Sequence, residues 1–330
     1  MKRTTAPAPL GPSNTKQVTA TATVSHKVSR PRRDWAAYND GLVARGGRVL
    51  DVVIDTETLA NWKVRTGRRG RPAFSAAAIT ACYTLKAALG LPLRATEGFL
   101  RRLFTDLGLD ASLTPDFSTL CKRRGEVKLL DPPKVGSVVL IDGTGVSYRG
   151  AGSWMCHKYR DGKFPPRRFA RVTLTVDAAS GSVTAMAVTS DKGPGTGEAS
   201  QFADLAQANA DAGAQTIIGD GAYDTAGCYT AAQAAGVELV CPTKVNAAYG
   251  LHPDRDVTLR RIQRLGHAGW KRKSGYHTRS LVEADIGALK ACFGDQTRAT
   301  TLAGARADIV GRANVHNLWR TAASGDHSAS

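Results

Sequence analysis

Three observations predict an α/β chain: a mixed five-stranded sheet with flanking helices, preceded by a helical region. Two short β-rich apolar runs each end in an aspartate followed by glycine, at Asp142 and Asp220. Strand-like and helix-like runs follow one another beyond the break Asp131-Pro-Pro-Lys134. Ahead of that break, residues 34–130 carry apolar side chains at helical spacing.

Met1 to Arg33 is rich in Thr, Ala, Pro and Ser, has seven basic residues and no acid, and is expected to be a disordered basic tail. It is either an arm that clings to DNA or a solvating tail. Phe74–Leu89 is the first clear helix, with Ser75 as its cap and Gly90 and Pro92 ending it. Thr96–Leu107 follows, with Phe99, Leu100, Leu103 and Phe104 on its apolar side. Asp116–Arg124 opens a third helix ending in three basic residues. Short helices with tight turns and a basic last element suggest a helix-turn-helix-like DNA-binding module; a bundle that braces the rest of the chain is the competing reading.

Beyond the break come strands at Val138–Ile141, Arg171–Asp177 and Val183–Thr189. A helix at Glu198–Ala210, a strand at Thr216–Gly219, a helix at Ala226–Ala235, a strand at Val237–Cys241 and a final helix complete the order. Three strands, helix, strand, helix, strand, helix is a ribonuclease-H-like order, assigned here to residues 131–325. An acid at a strand's carboxyl end in such a sheet points into the crevice where ligands bind, and a following glycine lets a ligand approach. A single such aspartate is more often a turn or cap residue. Two of them, joined by an acid on the last helix, form a set.

That third acid is Glu283, in GYHTRSLVEADIGALKACFG. Tyr276, Arg279, Glu283 and Lys290 are spaced Y-x2-R-x3-E-x6-K, which on one α-helix puts all four on one stripe. Leu281, Val282, Ile286, Leu289 and Phe293 form the opposite, apolar face. Such a charged stripe is ordinarily a solvated face with weak ion pairs. With two aspartates upstream it is also a place for a metal and a phosphate together.

These stretches resemble DDE transposases of bacterial insertion sequences, and insertion sequence family five in particular, in the branch with the Tyr-Arg-Glu-Lys signature. The resemblance rests on LIDGTG (Leu140–Gly145), GDGAYDT (Gly219–Thr225), the Gly275–Gly294 helix, and Phe74–Phe104 with Thr114–Arg124, and covers roughly residues 34–322. It implies Asp142, Asp220 and Glu283 as the catalytic triad, and a last helix that crosses the paired first and fourth strands. One departure is Arg171-Val-Thr173, where a Lys-x-His pair is expected.

The chemistry implied is cleavage and strand transfer at DNA phosphodiesters. Two Mg²⁺ ions about 4 Å apart, with Mn²⁺ as a substitute, would be held by Asp142, Asp220 and Glu283, Asp142 bridging. Arg279 and Lys290 would hold phosphates, and Tyr276 a phosphate or the helix start. Asp224 is expected to cap the next helix. The Tyr148–Arg171 loop interleaves basic and aromatic residues, among them Lys158, Arg160, Arg167 and Arg168, and is expected to contact DNA. Arg255–Lys273 is a second basic segment. Trp270 within it is the candidate to hold a flipped base, with a core tryptophan as the competing reading.

Composition agrees with that partner. Lys and Arg number 45 against 28 Asp and Glu, a net charge of +17. The expected partners are duplex DNA, as the element's terminal inverted repeats and target, and a second copy in a homodimer. No apolar run approaches the roughly 18 residues of a membrane span. Six scattered cysteines without metal-site spacing suit a reducing bacterial cytoplasm, at the nucleoid. Other readings are a DNA-binding protein of transposase descent that has lost catalysis, a structure-specific metal-dependent nuclease, and a glycosidase with paired carboxylates, which the charge disfavours.

Overall fold

A computed structural model describes residues 35–65, 73–131, 135–149, 168–244 and 247–323. The basic tail, and with it Lys158, Arg160 and Arg167, lies outside the described residues.

The front portion is helical. α1 (Trp35–Ile54) and α2 (Thr56–Ala60) lead to a two-residue hairpin pairing, β1 (Lys63–Val64) with β2 (Ala73–Phe74). α3 (Ala76–Ala88) starts where Ser75 accepts the Ala78 N–H at 3.0 Å, as a Ser N-cap should. α4 (Leu93–Asp106) follows after the Pro92 turn and lies at 106° to α3, within the range of a helix-turn-helix pair. α5 (Phe117–Arg123) is capped by Asp116, which accepts from Thr119 N at 2.7 Å.

The sheet comes next: β3 (Val138–Tyr148), β4 (Phe169–Asp177) and β5 (Val183–Ser190), then α6 (Phe202–Asp211), β6 (Thr216–Ile218), α7 (Ala226–Ala235) and β7 (Glu238–Val240). α8 (Pro253–Lys273), α9 (Ser280–Phe293), β8 (Gln296–Thr297) and α10 (Leu302–Ala323) complete it. The expected five strands are present in the expected order, and the sheet gains a sixth in β8. Its order is β5-β4-β3-β6-β7, with β8 also on β3. β3, β4 and β5 are antiparallel neighbours, while β6 and β7 run parallel to β3.

β3 is longer than its apolar run predicts, because β4 pairs it from Val139 to Ser147, glycines included. On its other edge β6 pairs only as far as Leu140, and β8 takes over at Ser147. Asp142 lies in the interval between them, where that edge of β3 is released from the ladder.

Alternation along the strands makes two faces. Leu140, Val146, Val172, Leu174 and Val176 pack on Val282 and Ile286 of α9 and on Ile309 and Ala313 of α10. Val139, Ile141 and Ala185 pack on Phe202 and Leu205 of α6 and on Tyr223 and Tyr229. A third core joins the front helices to α10: Val53, Trp62, Ile79, Leu85, Leu100 and Phe104 meet Ala307, Val310 and Val315. Burying each large side chain contributes roughly 1.5–3 kcal/mol. Gly311 makes the α3–α10 contact possible, since a Cβ there would stand 2.7 Å from the Tyr83 carbonyl oxygen. The front helices therefore share a core with the last helix of the chain.

No single described helix is long and apolar enough to cross a membrane; the bent pair α3 and α4 meets the length and composition together, but Ala78–Leu85 is buried in protein. Cys82, Cys228 and Cys241 are free and buried, as core thiols are.

Candidate active site

Tyr276–Arg279 does not begin the last helix. Gly275, at φ 71°, breaks the chain from α8, and Tyr276–Arg279 form a 3₁₀ turn that leads into α9 at Ser280. The single stripe expected of the four signature residues is thus divided between a turn and a helix, because glycine in the left-handed region ends one helix before the next starts. The i,i+4 pair survives: Arg279 Nη1 donates to Glu283 Oε1 at 2.7 Å.

Arg279 also reaches the sheet. Its Nη2 donates to Asp142 Oδ1 at 3.3 Å, so one guanidinium joins an acid of β3 to an acid of α9. Asp142 also accepts the Gly143 N–H at 2.9 Å. Burial raises the Asp142 carboxyl above its ordinary range; Gly143 and Arg279 oppose this, and the charges of Asp220 and Glu283 add to it. Asp142 thus feels the negative charge of both other acids of the expected triad. Glu283 is the open member, its side chain 57% exposed against 15% for Asp142.

Asp220 stands just past β6. Its Oδ1 accepts from Ala222 N at 2.8 Å and starts the 3₁₀ turn Gly221–Tyr223, so it does the turn residue's ordinary work while its charge still reaches Asp142. The glycine that matters here precedes it. A Cβ on Gly219 would meet Tyr223 Cδ2 at 2.6 Å and Ile141 Cγ2 at 2.9 Å. A Cβ on Gly143 would fall 2.1 Å from the carboxyl carbon of Glu198, the end of a flexible side chain that can move aside. Close packing inside the protein accounts for Gly219.

The remaining expected residues divide. Lys290 lines a small crevice with Thr144, two residues past Asp142 on the same sheet face. Tyr276 is half-buried, with its ring 5.4 Å from that of Trp270 and Lys271 Nζ 5.6 Å above it. Arg168 is exposed and lies over the Tyr148 ring at 5.8 Å. Trp270 is a correction: at 2% exposed it belongs to the core between α8 and the sheet, leaving no ring face for a flipped base. Asp224 is another. Thr225 caps α7, while Asp224 is buried, pairs with Arg255 Nε at 2.6 Å and accepts from Lys244 N at 3.1 Å. Arg255 is accordingly a buried partner within the basic segment and not a surface cation.

Four groups escape a reading of the sequence. Glu198 stands over Gly143, with Arg171 Nη1 4.0 Å away. Tyr223 is fully buried and its hydroxyl has no hydrogen-bond partner among the described residues. Asp285, two residues from Glu283, is buried and paired with Arg320 of α10. The fourth is a groove of about 720 Å³ where the front helices meet the start of α10. Lys86, Arg94, Lys122, Arg124, Arg149 and Arg298 line it, and the one acid among its described lining residues, Asp308, is held by Lys86. A basic last turn on α5 is a partial signal for the groove; a lone acid after a glycine-rich loop gives none for Glu198.

Acids from β3, the β6 end and α9, with Arg279 between two of them, form a charged centre on a mixed sheet. Family profiles assign the chain that carries it. A profile described as "Transposase DDE domain" matches residues 133–318, more than half of the chain, and another of the same description matches residues 43–151. The chain belongs to the transposase DDE-domain family. Among solved structures it is similar to the Drosophila P element transposase strand transfer complex, at 11% identity over 82% of this chain and 70% of that one, with a TM-score of 0.24; a likeness that low carries no argument.

Proposed function

We propose that this protein is the transposase of a bacterial insertion sequence, of the Tyr-Arg-Glu-Lys branch that resembles insertion sequence family five. It binds the terminal inverted repeats of its own element, cuts at the element's ends and joins them to target DNA. The observation that carries the reading is the Arg279 bridge from Asp142 to Glu283, with Asp220 in the same electrostatic cluster.

Asp142, Asp220 and Glu283 are the ligands proposed for two Mg²⁺ ions, with Mn²⁺ as substitute. An all-carboxylate donor set suits hard divalent cations. Among the described residues no three such side chains already stand as a metal cage, and Arg279 occupies the space between two of them. The exposed Glu283 side chain has the freedom to turn toward the other two. Bound divalent cations would supply positive charge against the phosphate and acidify the attacking hydroxyl.

The protein's own groups do the rest. Arg279 offers a planar fork that fits carboxylate and phosphate alike, so it neutralises the acids and holds a phosphate beside them. Tyr276 shares the 3₁₀ turn of Arg279 and Lys290 lines the crevice at Thr144, and both are proposed as phosphate contacts. The basic groove carries the DNA backbone away from the acids and across the front helices, with Arg149 next to β3 as its link. Arg168, just before β4, contributes, and Lys158, Arg160 and Arg167, outside the described residues, are proposed DNA contacts with it. Two ends must be brought together, so a homodimer acts, in the cytoplasm at the nucleoid.

Purified protein with its element's end DNA and Mg²⁺, beside Asp142→Asn, tests the reading. Cleavage at the boundary by the unaltered protein only is expected. Tight end binding with no cleavage in Mg²⁺ or Mn²⁺ would favour a binding protein without catalysis, and cutting without joining a nuclease.

A further inference from the structure

Two grooves open on different sides of the α3–α4 pair. Tyr83 and Lys86 of α3 and Arg94 of α4 line the basic one, while Leu85 and Leu89 of α3 and Phe99 of α4 line a second groove of about 510 Å³. At about 100° per residue, Arg94 and Phe99 stand about 140° apart on their helix. Leu42 and Val49 of α1 and Trp319 of α10 also line the second groove. The one charged group among its described lining residues, Arg45, is already engaged. Its Nε donates to the Trp319 carbonyl at 3.3 Å, and its guanidinium lies 5.9 Å from the centre of the Trp319 ring.

This side of the chain is left apolar. Leu42, Leu89 and Phe99 are exposed, and Val43, beside Leu42 on α1, is 83% exposed. A contiguous apolar patch of this kind marks a place where another surface docks. The interior of α1 also carries Gly46 and Gly47, and Gly46 lines the groove. Glycine inside a helix weakens it relative to alanine. A Cβ on either would meet nothing within 4 Å in its own chain, so internal packing does not call for glycine there, whereas the close approach of a second backbone would.

Charge selects the occupant. A two-fold pairing sets each surface on its own image, so a cation-lined face of a chain with net charge +17 would meet its own like charge. An apolar face whose single cation is engaged meets itself without that repulsion, and α1 supplies both a projection, Val43, and part of the hollow. Residues 1–33 of the same chain fit such a face less well, with seven Lys and Arg, no acid, no aromatic residue and a single leucine, Leu10.

We infer that the apolar face built by α1, α3, α4 and the end of α10 is the surface through which two copies of this chain pair about a two-fold axis, α1 against α1. The inference rests on the proposed homodimer and names the face that forms it. Paired this way, each copy keeps its basic groove, on the other side of α3 and α4, for its own DNA end.

Sedimentation equilibrium of the full chain, with and without end DNA, reads the pairing in unaltered protein, Val43→Lys, Gly46→Lys and the control Val64→Lys. Val64 is exposed and lies outside the groove. Val43→Lys and Gly46→Lys are each expected to weaken pairing about tenfold or more, since the two-fold axis brings the new charge toward its copy, and to bind end DNA as single copies. The control should pair like the unaltered protein. At a dilution where all are monomers, Gly46→Lys should melt at or above the unaltered temperature, because lysine suits a helix interior better than glycine. A photoreactive benzoylphenylalanine placed at Val43 should join two chains. Pairing of unaltered strength in both variants overturns the inference and leaves the homodimer to another face. Loss of pairing only in variants that also melt lower at that dilution overturns it as a defect of α1. A cross-link from position 43 to residues 1–33 of the same chain overturns it and gives the groove to the chain's own first residues. Unaltered protein that stays a single copy even on end DNA overturns both the inference and the homodimer.

Discussion

Arg279 Nη2 donates to Asp142 Oδ1 at 3.3 Å, tying the turn before α9 to the middle of β3. The same guanidinium holds Glu283 at 2.7 Å. Burial works against its charge, but Asp142, Tyr276 and Glu283 together outweigh that and strengthen its hold on the proton. Two segments distant in sequence are thereby brought to one point. Arg279→Lys keeps the charge and loses the fork, so it cannot serve both acids or grip a phosphate through two donors. Cleavage of end DNA at saturation is expected to slow by about 10²-fold, with end binding much less affected. Equal single-turnover rates for the two proteins would remove Arg279 from the site.

Glu283 and Asp285 are two residues apart on α9 and should behave oppositely. Glu283 is exposed, so Glu283→Gln should leave stability within about 0.5 kcal/mol while abolishing cation-dependent cleavage and sparing DNA binding. Asp285 is 1% exposed and paired with Arg320. Asp285→Ala should cost about 3 kcal/mol in urea unfolding, the low end for a buried pair because Arg320 is partly open to solvent. A stable Asp285→Ala protein, or loss of both DNA binding and cleavage in Glu283→Gln, would reverse these assignments.

The groove predicts a salt signature. Arg94→Ala, Lys122→Ala and Arg298→Ala should each weaken end binding and reduce the slope of log K against log salt, by about 0.9 for each phosphate no longer neutralised. Arg102, on α4 and paired with Asp106 outside the groove, is the control and should change neither. Unaltered slopes in all three groove variants would place the DNA elsewhere.

His316 of α10 gives the fold a pH dependence. It is buried, and its Nε2 carries the proton donated to the Gly181 carbonyl at 3.0 Å. Burial is the largest cause that pushes its pKa below the ordinary value of 6.5. The unfolded chain therefore takes up a proton before the native one does. Stability is held above pH 6.5 or so and is lost as pH falls from there toward the native value. The melting temperature of His316→Gln should fall less over the same acid range; parallel curves would assign the dependence to other groups.

Much of the fold follows from local pattern. The apolar runs ending in Asp142 and Asp220 are readable as strands because period and punctuation are properties of neighbouring residues, and the five strands stand in the expected order. The caps at Ser75 and Asp116 are readable for the same reason. The 3₁₀ turn at Tyr276–Arg279 is not, since Gly275 could as well have been carried inside a helix.

Residue order alone gave the order of the five main strands, the basic balance, the three acids as candidates and the family they resemble, all of which are carried by spacing along one chain. Only the folded chain decided that Trp270 and Arg255 are interior, that Asp224 serves an ion pair, and that Glu198 rests on Gly143. It also decided that β6 and β8 leave an open interval on β3 for Asp142. Burial and the meeting of distant segments depend on how strands register and which faces helices cover, and no local pattern encodes either.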